Sequence, residues 1–417
     1  MSNAAGQLLA AAQLARQRGQ MDEELRLIEG ALAAAPGDPH ALNARGMRAL
    51  ADRDAEHARG CFEAAAAADP KEAALWMNAA TACRMLGDAV GEEQSLNRAL
   101  DIDRRNFMAL LRLAELHERL ARHVEAAQAW AHVVQFARTV SDPPPGVADA
   151  LRRGEAYIIA HNRELGDRLD AALGSELDGQ RRFRACVDHM LGRRAIYHNE
   201  CAGIHYPFLP ADEFFDRGLF PWLREIEART DAIRAEALAL LAASDEAIRP
   251  YVRQAKGTPA NKWSRLDNSS DWSACFLWDH GERNDAICAQ CPETAAALLA
   301  VPQNRLSGKA PSAFFSILKP KAHIPAHTGV TNTRAIVHLP LVVPAGCRFR
   351  VGGEMREWRE GEAFVFDDTI EHEAWNDSPD ARILLIFDVW NPHLSVKERE
   401  LLTRLFELTG SAAVAGA

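Results

Sequence analysis

Through the first 140 residues apolar side chains recur every three to four positions with almost no β-branched runs, so this part of the chain is predicted to be helical. The last hundred residues instead alternate Val, Ile and Phe with polar residues between Gly and Pro punctuation, the pattern of strands and turns. The helical part repeats itself at intervals of 34. Pro36 and Pro70 hold the same position, continued by Arg104; Leu42, Trp76 and Leu110 hold a second, and Gly46, Ala80 and Ala114 a third. Phe62, Leu96 and Trp130 follow, then Ala65, Ala99 and Val133. An earlier, less regular unit fits the same register through Ala12, Ile28, Ala31 and Pro36. Four units are predicted, near 5–38, 39–72, 73–106 and 107–140. The run SDPPPG (141–146) stops the last helix, residues 147–195 read as a capping or connecting helical pair, and 219–244 as one amphipathic helix among short strands.

A large residue, a small one four later, then an aromatic and a Pro, all at period 34, resembles the tetratricopeptide repeat. The small residue lets the two helices of a unit approach, and the large ones fill the groove between them. Near the other end, SAFFSIL, TRAIVHLPLVV and ARILLIFDVW are the strongest strand candidates, with CRFRVGG and FVFDD between the last two. Strands of this length separated by Gly and Pro turns predict a double-stranded β-helix of the jelly-roll or cupin kind. The expected fold is therefore α+β: an all-α tetratricopeptide-repeat solenoid at 1–140, connecting helices at 141–199, a barrel domain at 200–400, and a C-terminal helix and tail at 401–417.

Composition narrows the class. The 417 residues are 48% hydrophobic and 25% charged, the balance of an ordinary globular protein of two or three domains. Lys and Arg number 48 against 58 Asp and Glu, a formal charge of −10, which argues against general nucleic-acid binding while leaving room for a local basic pocket. No stretch approaches the ~18–20 apolar residues of a membrane span. The N-terminal MSNAAGQLLAAAQLARQRGQ has neither the basic start nor the long apolar run of a signal peptide, and eight cysteines are too sparse for a disulfide scaffold. A cytoplasmic protein is expected.

The chemistry-bearing residues lie between Ser316 and Pro392. His327 stands in AHTG, just before a strand, and His372 in IEHEAW, after a strand ending in Asp367 and Asp368; Arg382 follows on the next strand. Two imidazoles for a metal and an Arg for a distant carboxylate are what a 2-oxoglutarate oxygenase requires. A facial triad would add an acidic residue two after the first histidine, and that position is Gly329. Spacing alone therefore leaves an Fe(II) oxygenase open beside a metal-free or zinc-binding barrel.

The run HTGVTNTRAIVHLPLVVPAGCRFRVGG, the later FVFDDTIEHEAWND and the closing LLIFDVWNP resemble the aspartyl/asparaginyl β-hydroxylase family, as do DWSACFLW (271–278) and the stretch from YPFLPADEFFDRGLF onward. The resemblance covers roughly 200–395, and that family also carries Gly in place of the acidic ligand. It implies that His327 and His372 bind Fe(II), with water in the third protein position, and that Arg382 and Ser316 hold the distal carboxylate of 2-oxoglutarate. His338 would lie near its C1 end, with O₂ as the other co-substrate. Arg334 would sit near substrate and co-substrate. Read from the residues alone, Trp272 is a candidate for the substrate vicinity, and Asp367 and Asp368 are expected as turn groups beside His372, with Asp368 behind it and orienting it. The implied reaction is hydroxylation of an unactivated C–H, foremost the β-carbon of an Asp or Asn residue in a peptide or protein engaged by the repeats. Animal members place a second Arg two residues after Arg334; here that position is Ile336, which puts acidic-residue specificity in question. A hydroxylase of a lipid acyl chain or of a free or carrier-bound amino acid is the alternative, and a non-catalytic adaptor with a degenerate barrel a third.

Other positions have plainer readings. His323 could compete as a ligand but is expected to be structural. Cys288 and Cys291 form a lone CxxC, expected in a plain loop. Trp272 and Trp278 either line the approach or anchor the core. Arg45, Asn78 and Arg112 recur in register and either line a concave groove or form a solvated helix face.

Overall fold

The computed structural model describes residues 3–177, 179–243, 247–306 and 308–409, and the chain divides between Gly192 and Arg193 into two compact units. The tail expected after 409 lies outside the described residues.

The first unit is four helical hairpins: α1 (Asn3–Gln17) with α2 (Met21–Ala34), α3 (Pro39–Ala51) with α4 (Ala55–Ala68), α5 (Ala73–Leu86) with α6 (Ala89–Ile102), and α7 (Phe107–Arg119) with α8 (His123–Ala137). Their bounds follow the 34-residue period. Asp38, Asp54, Asp88 and Asn106 each cap the helix that follows, accepting from a backbone N–H of its first turn. Phe62, Leu96 and Trp130, one period apart, are fully buried between neighbouring helices. All three recurring polar positions bridge successive units. Asn78 donates to Asn43 Oδ1 at 2.8 Å, and Arg112 donates to the Met77 carbonyl and Thr81 Oγ1, both at 3.0 Å. Arg45 pairs with Glu29 of the preceding unit at 2.6 Å. These residues stitch the stack together and are neither a free groove lining nor a purely solvated face. The prolines that stop the last hairpin also start α9 (Pro145–Leu173), where Pro145 occupies the first turn and loses no helical hydrogen bond; α10 (Arg181–Met190) follows.

Among the described residues the second unit carries α11 (Leu223–Glu227), α12 (Thr230–Ala243), α13 (Asp285–Gln290), α14 (Pro292–Ala300) and α15 (Val396–Thr409) around eleven strands. The strands are β1 (Arg249–Pro250), β2 (Trp272–Asp279), β3 (Glu282–Arg283), β4 (Ala313–Leu318), β5 (His323–His327), β6 (Arg334–Val342), β7 (Cys347–Val351), β8 (Glu354–Arg356), β9 (Phe364–Phe366), β10 (His372–Asn376) and β11 (Arg382–Trp390). They form two antiparallel sheets, one ordered β1-β2-β4-β11-β6-β9 with β3 on β2, the other β5-β10-β7-β8. The single helix expected over 219–244 is two, because α11 ends after Glu227 and α12 starts at Thr230. Cys288 and Cys291, expected in a loop, instead lie in and directly after α13, buried in the core.

Strand alternation separates two interiors. On β11, Ile383, Leu385, Phe387 and Val389 pack against the helices, while Leu384 and Ile386 face the space between the sheets, sharing it with Phe349, Val351 and Ala374 of the smaller sheet. Arg382 and Asp388 belong to this second, inter-sheet set by the same period of two. One helix joint shows how the outer layer is fixed: Glu236 of α12 accepts from the backbone N–H groups of Glu293 and Thr294 at 2.8 Å, capping α14 from outside.

Candidate active site

The pairing of β5 with β10 sets His327 directly opposite His372. His327 is the last residue of its strand, where the sequence placed it before one. The two ring centroids are 4.0 Å apart. His327 Nδ1 lies 2.8 Å from the carbonyl oxygen of Pro325, and His372 Nδ1 lies 3.0 Å from that of Ile370. A carbonyl oxygen only accepts, so each Nδ1 carries the proton and each Nε2 presents a lone pair. Burial, and then the neighbouring His372, pushes the pKa of His327 down to about 3, and burial pushes His372 down to about 4. Both rings are neutral at physiological pH, the form a metal ion binds.

His323 does not join them. The β5–β10 register matches Ile324 with Ala374 and then His323 with Trp375, with an irregularity between His372 and Ala374. Three residues of β5 thus span two of β10, and an extra residue of this kind reverses the face that follows. His323 pairs with Glu373 at 2.7 Å and stacks on Trp375.

At Gly329, where an acidic ligand is absent, a Cβ would run into the carboxylate of Asp368. Gly329 N–H donates to the Asp368 carbonyl at 2.6 Å. The Asp368 side chain does not orient His372. Its Oδ2 accepts from Arg334 Nη2 at 3.1 Å, and its Oδ1 is buried with no partner. A carboxylate from another loop therefore fills the room a residue-329 side chain would take, and keeps one acceptor free. Among the described residues no group of three or more His, Cys, Asp or Glu side chains is arranged to hold a metal, so the two histidines would be the whole protein donor set.

Arg382, the first residue of β11, is 1% exposed. Its Nη2 donates to Ser316 Oγ at 3.0 Å, and the same oxygen accepts from Trp272 Nε1 at 3.1 Å. The Trp358 ring lies 4.9 Å from its Cζ. Its Nε is buried without a partner, and burial lowers its pKa only to about 10, so it remains a cation. No carboxylate among the described residues pairs with it. A buried guanidinium with spare donors and no counter-ion is built for an anion from outside the chain. His338 faces the same space. Trp358 Nε1 donates to its Nδ1 at 3.3 Å, which leaves the proton on Nε2. Burial, then the charge of Arg382, holds its pKa well below the usual value.

Arg334 begins β6 and spans two carboxylates, Asp368 at 3.1 Å and Asp388 at 3.4 Å. Burial alone would lower its pKa; those two charges raise it instead. Ile336 and His338 follow on the same face. All eight expected residues (Trp272, Ser316, His327, Arg334, His338, Asp368, His372 and Arg382) line one cavity of about 810 Å³. Trp278 is in the other core and Asp367 lies outside the lining, held by Asn199 and Thr369. The sequence reading passed over Asp388, Trp358, Trp263, whose ring abuts His327 at 4.8 Å, and Asn304. Only Trp358 carried a signal, as the lone Trp between CRFRVGG and FVFDD.

A family profile described as aspartyl/asparaginyl β-hydroxylase matches residues 227–392. Over those residues the chain is similar to that family. The human aspartyl/asparaginyl β-hydroxylase is 34% identical over 188 residues, which is 45% of this chain and 23% of that protein. The ornithine lipid ester-linked acyl 2-hydroxylase of Rhizobium tropici is 32% identical over 196 residues, 46% of this chain and 66% of that one. The chain thus spans less than a quarter of the human relative and just under two thirds of the bacterial one. The first tetratricopeptide domain of Spaghetti, solved with an HSP90 peptide, is 19% identical and covers 29% of this chain and 98% of its own, at a TM-score of 0.28. Among the described residues no helix is long and apolar enough to cross a membrane.

Proposed function

We propose that residues 193–409 form a double-stranded β-helix hydroxylase that uses Fe(II), 2-oxoglutarate and O₂. The observation that carries this reading is one cavity holding two imidazoles with free Nε2 lone pairs and a buried guanidinium without a counter-ion. His327 and His372 would hold the metal. The Arg382 fork and Ser316 hydroxyl would take the distal carboxylate of 2-oxoglutarate, and His338 Nε2–H is a donor for its other end. Asp368 Oδ1 is an acceptor for water in the third protein position. The bound metal and oxoacid would supply the O₂-derived oxidant for a C–H bond. The protein's part is to orient both, keep the histidines unprotonated and close the space to bulk water.

The reading extends to the β-carbon of an Asp or Asn residue in a peptide, on the strength of the family and the human relative. A lipid acyl chain is the second reading, favoured by the Rhizobium relative and by the apolar wall of Phe276, Phe314, Ile336 and Ile386. Succinate formation from 2-oxoglutarate with Fe(II) and ascorbate tests the core claim. Turnover is expected from the wild-type chain and not from the His327→Ala/His372→Ala double variant. Equal turnover by both would overturn it.

A further inference from the structure

Asn304 is 1% exposed, lines the cavity, and neither its carboxamide oxygen nor its nitrogen has a hydrogen-bond partner. Leaving such a group unpaired costs about 1–3 kcal/mol, so a buried orphan of this kind calls for a ligand. Its place in the fold says which part of the ligand. Gln303 bridges to Val389, which brings Asn304 to the Asp388 end of β11. Arg382 opens the same strand six residues earlier, roughly 20 Å away at about 3.3 Å per residue. Asn304 therefore serves the end of the cavity remote from the oxoacid anchor.

The charges at that end disfavour an acid. Arg334 is already neutralised by Asp368 and Asp388, and Arg249 is paired with Asp279. Ile336 is apolar and stands opposite Asp388 on the sheet. Arg253 and Lys309 also line the cavity without an ion pair, but Arg253 is exposed and Lys309 half-exposed, so water screens them. A carboxylate entering here would meet Asp388 and no unpaired buried cation, and would leave the Asn304 oxygen unsatisfied. An ester or alkyl chain would leave its N–H donors or both groups unsatisfied. A primary carboxamide offers one acceptor and one donor side by side on one edge and satisfies both, whereas a trans peptide amide turns its N–H and C=O to opposite edges.

We propose that the substrate end of the cavity reads a neutral amide through Asn304 and rejects a carboxylate. This rests on the hydroxylase reading for its consequence, an amide-bearing residue as substrate, but its test does not require turnover. Two probes differ only in the group at issue: N-acetylasparagine N-methylamide and N-acetylaspartate N-methylamide. Binding of each to the full chain is measured by ligand-observed NMR. The asparagine probe is expected to bind about tenfold tighter, the discrimination typical of one well-placed buried hydrogen-bonding group. Asn304→Leu is expected to abolish that preference while leaving the melting temperature unchanged or higher, because the carboxamide supports nothing within the protein. Ile336→Arg is expected to shift preference towards the aspartate probe. Equal or tighter binding of the aspartate probe to the wild type would overturn the proposal. So would an unchanged preference in Asn304→Leu, or a lowered melting temperature, which would make the side chain structural. Methyl hexanoate binding as tightly as the asparagine probe would also overturn it in favour of an acyl chain. 2-Oxoglutarate binding, followed in the same samples, reports separately on the hydroxylase reading.

Discussion

At the scale of single residues the site is governed by what each polar group lacks. Arg382 has no counter-ion, and its planar fork fits a carboxylate bidentately, which a lysine ammonium cannot do. Arg382→Lys is therefore expected to weaken 2-oxoglutarate binding about tenfold or more in a direct titration while the fold persists; unchanged affinity would remove Arg382 from the co-substrate site. Asp367 presents the opposite case. It is fully buried, accepts from Asn199 and Thr369, and burial raises its pKa from 3.8 to about 7. A raised carboxylate pKa penalises the charged folded form, so this contribution to stability falls as pH rises from about 4 to about 7 and then levels off. Asp367→Asn lacks that titration. The difference in melting temperature, variant minus wild type, is expected to grow between pH 5 and pH 8 by a few degrees, and a flat difference would contradict the assignment. His327, His372 and Arg382 could be singled out because each stands in a short motif local in sequence, and Ser316 only through the resemblance those motifs carry. Asn304 and the Asp388–Arg334 pair were not, since only the sheet register brings them together.

At the scale of elements the helical hairpins were the most legible part, because a 34-residue period records which side chains meet. Gly46 shows how tightly that record binds. A Cβ there would lie 2.6 Å from the Phe62 ring, whereas Ala80 and Ala114 occupy the same position in the next units. Gly→Ala in a helix ordinarily stabilises by about 0.5–1 kcal/mol, but overpacking costs about 1–3 kcal/mol. The clash wins, and Gly46→Ala is expected to lower stability by about 1 kcal/mol in urea unfolding. Adding Phe62→Leu, the residue the next unit uses at that position, is expected to recover part of the loss; no recovery would mean the backbone rather than the ring resists. The strands were legible as strands, yet the faces they present were less so. The β5 irregularity that turns His323 away from His327 has no sequence mark, because it is set by where His372 falls on β10. Similarly, residues 219–244 read as one amphipathic run, and only the structure divides it.

At the scale of the whole molecule, the composition change along the chain coincides with a division of contacts. The described residues lining the cavity run from Ala202 to Phe406, all within the second unit. Its core is also its own: the cluster between the sheets and the cluster under the helices draw only on residues after 196. A fragment of residues 193–417 is accordingly expected to fold and to bind 2-oxoglutarate with the affinity of the full chain, read by titration of both proteins side by side. The helical unit cannot then be needed to shape the oxoacid end of the cavity, and any effect of removing it must appear with substrate. Loss of 2-oxoglutarate binding in a fragment that retains its β-sheet circular dichroism would contradict this, and would assign the repeats a part in forming the site rather than in bringing molecules to it.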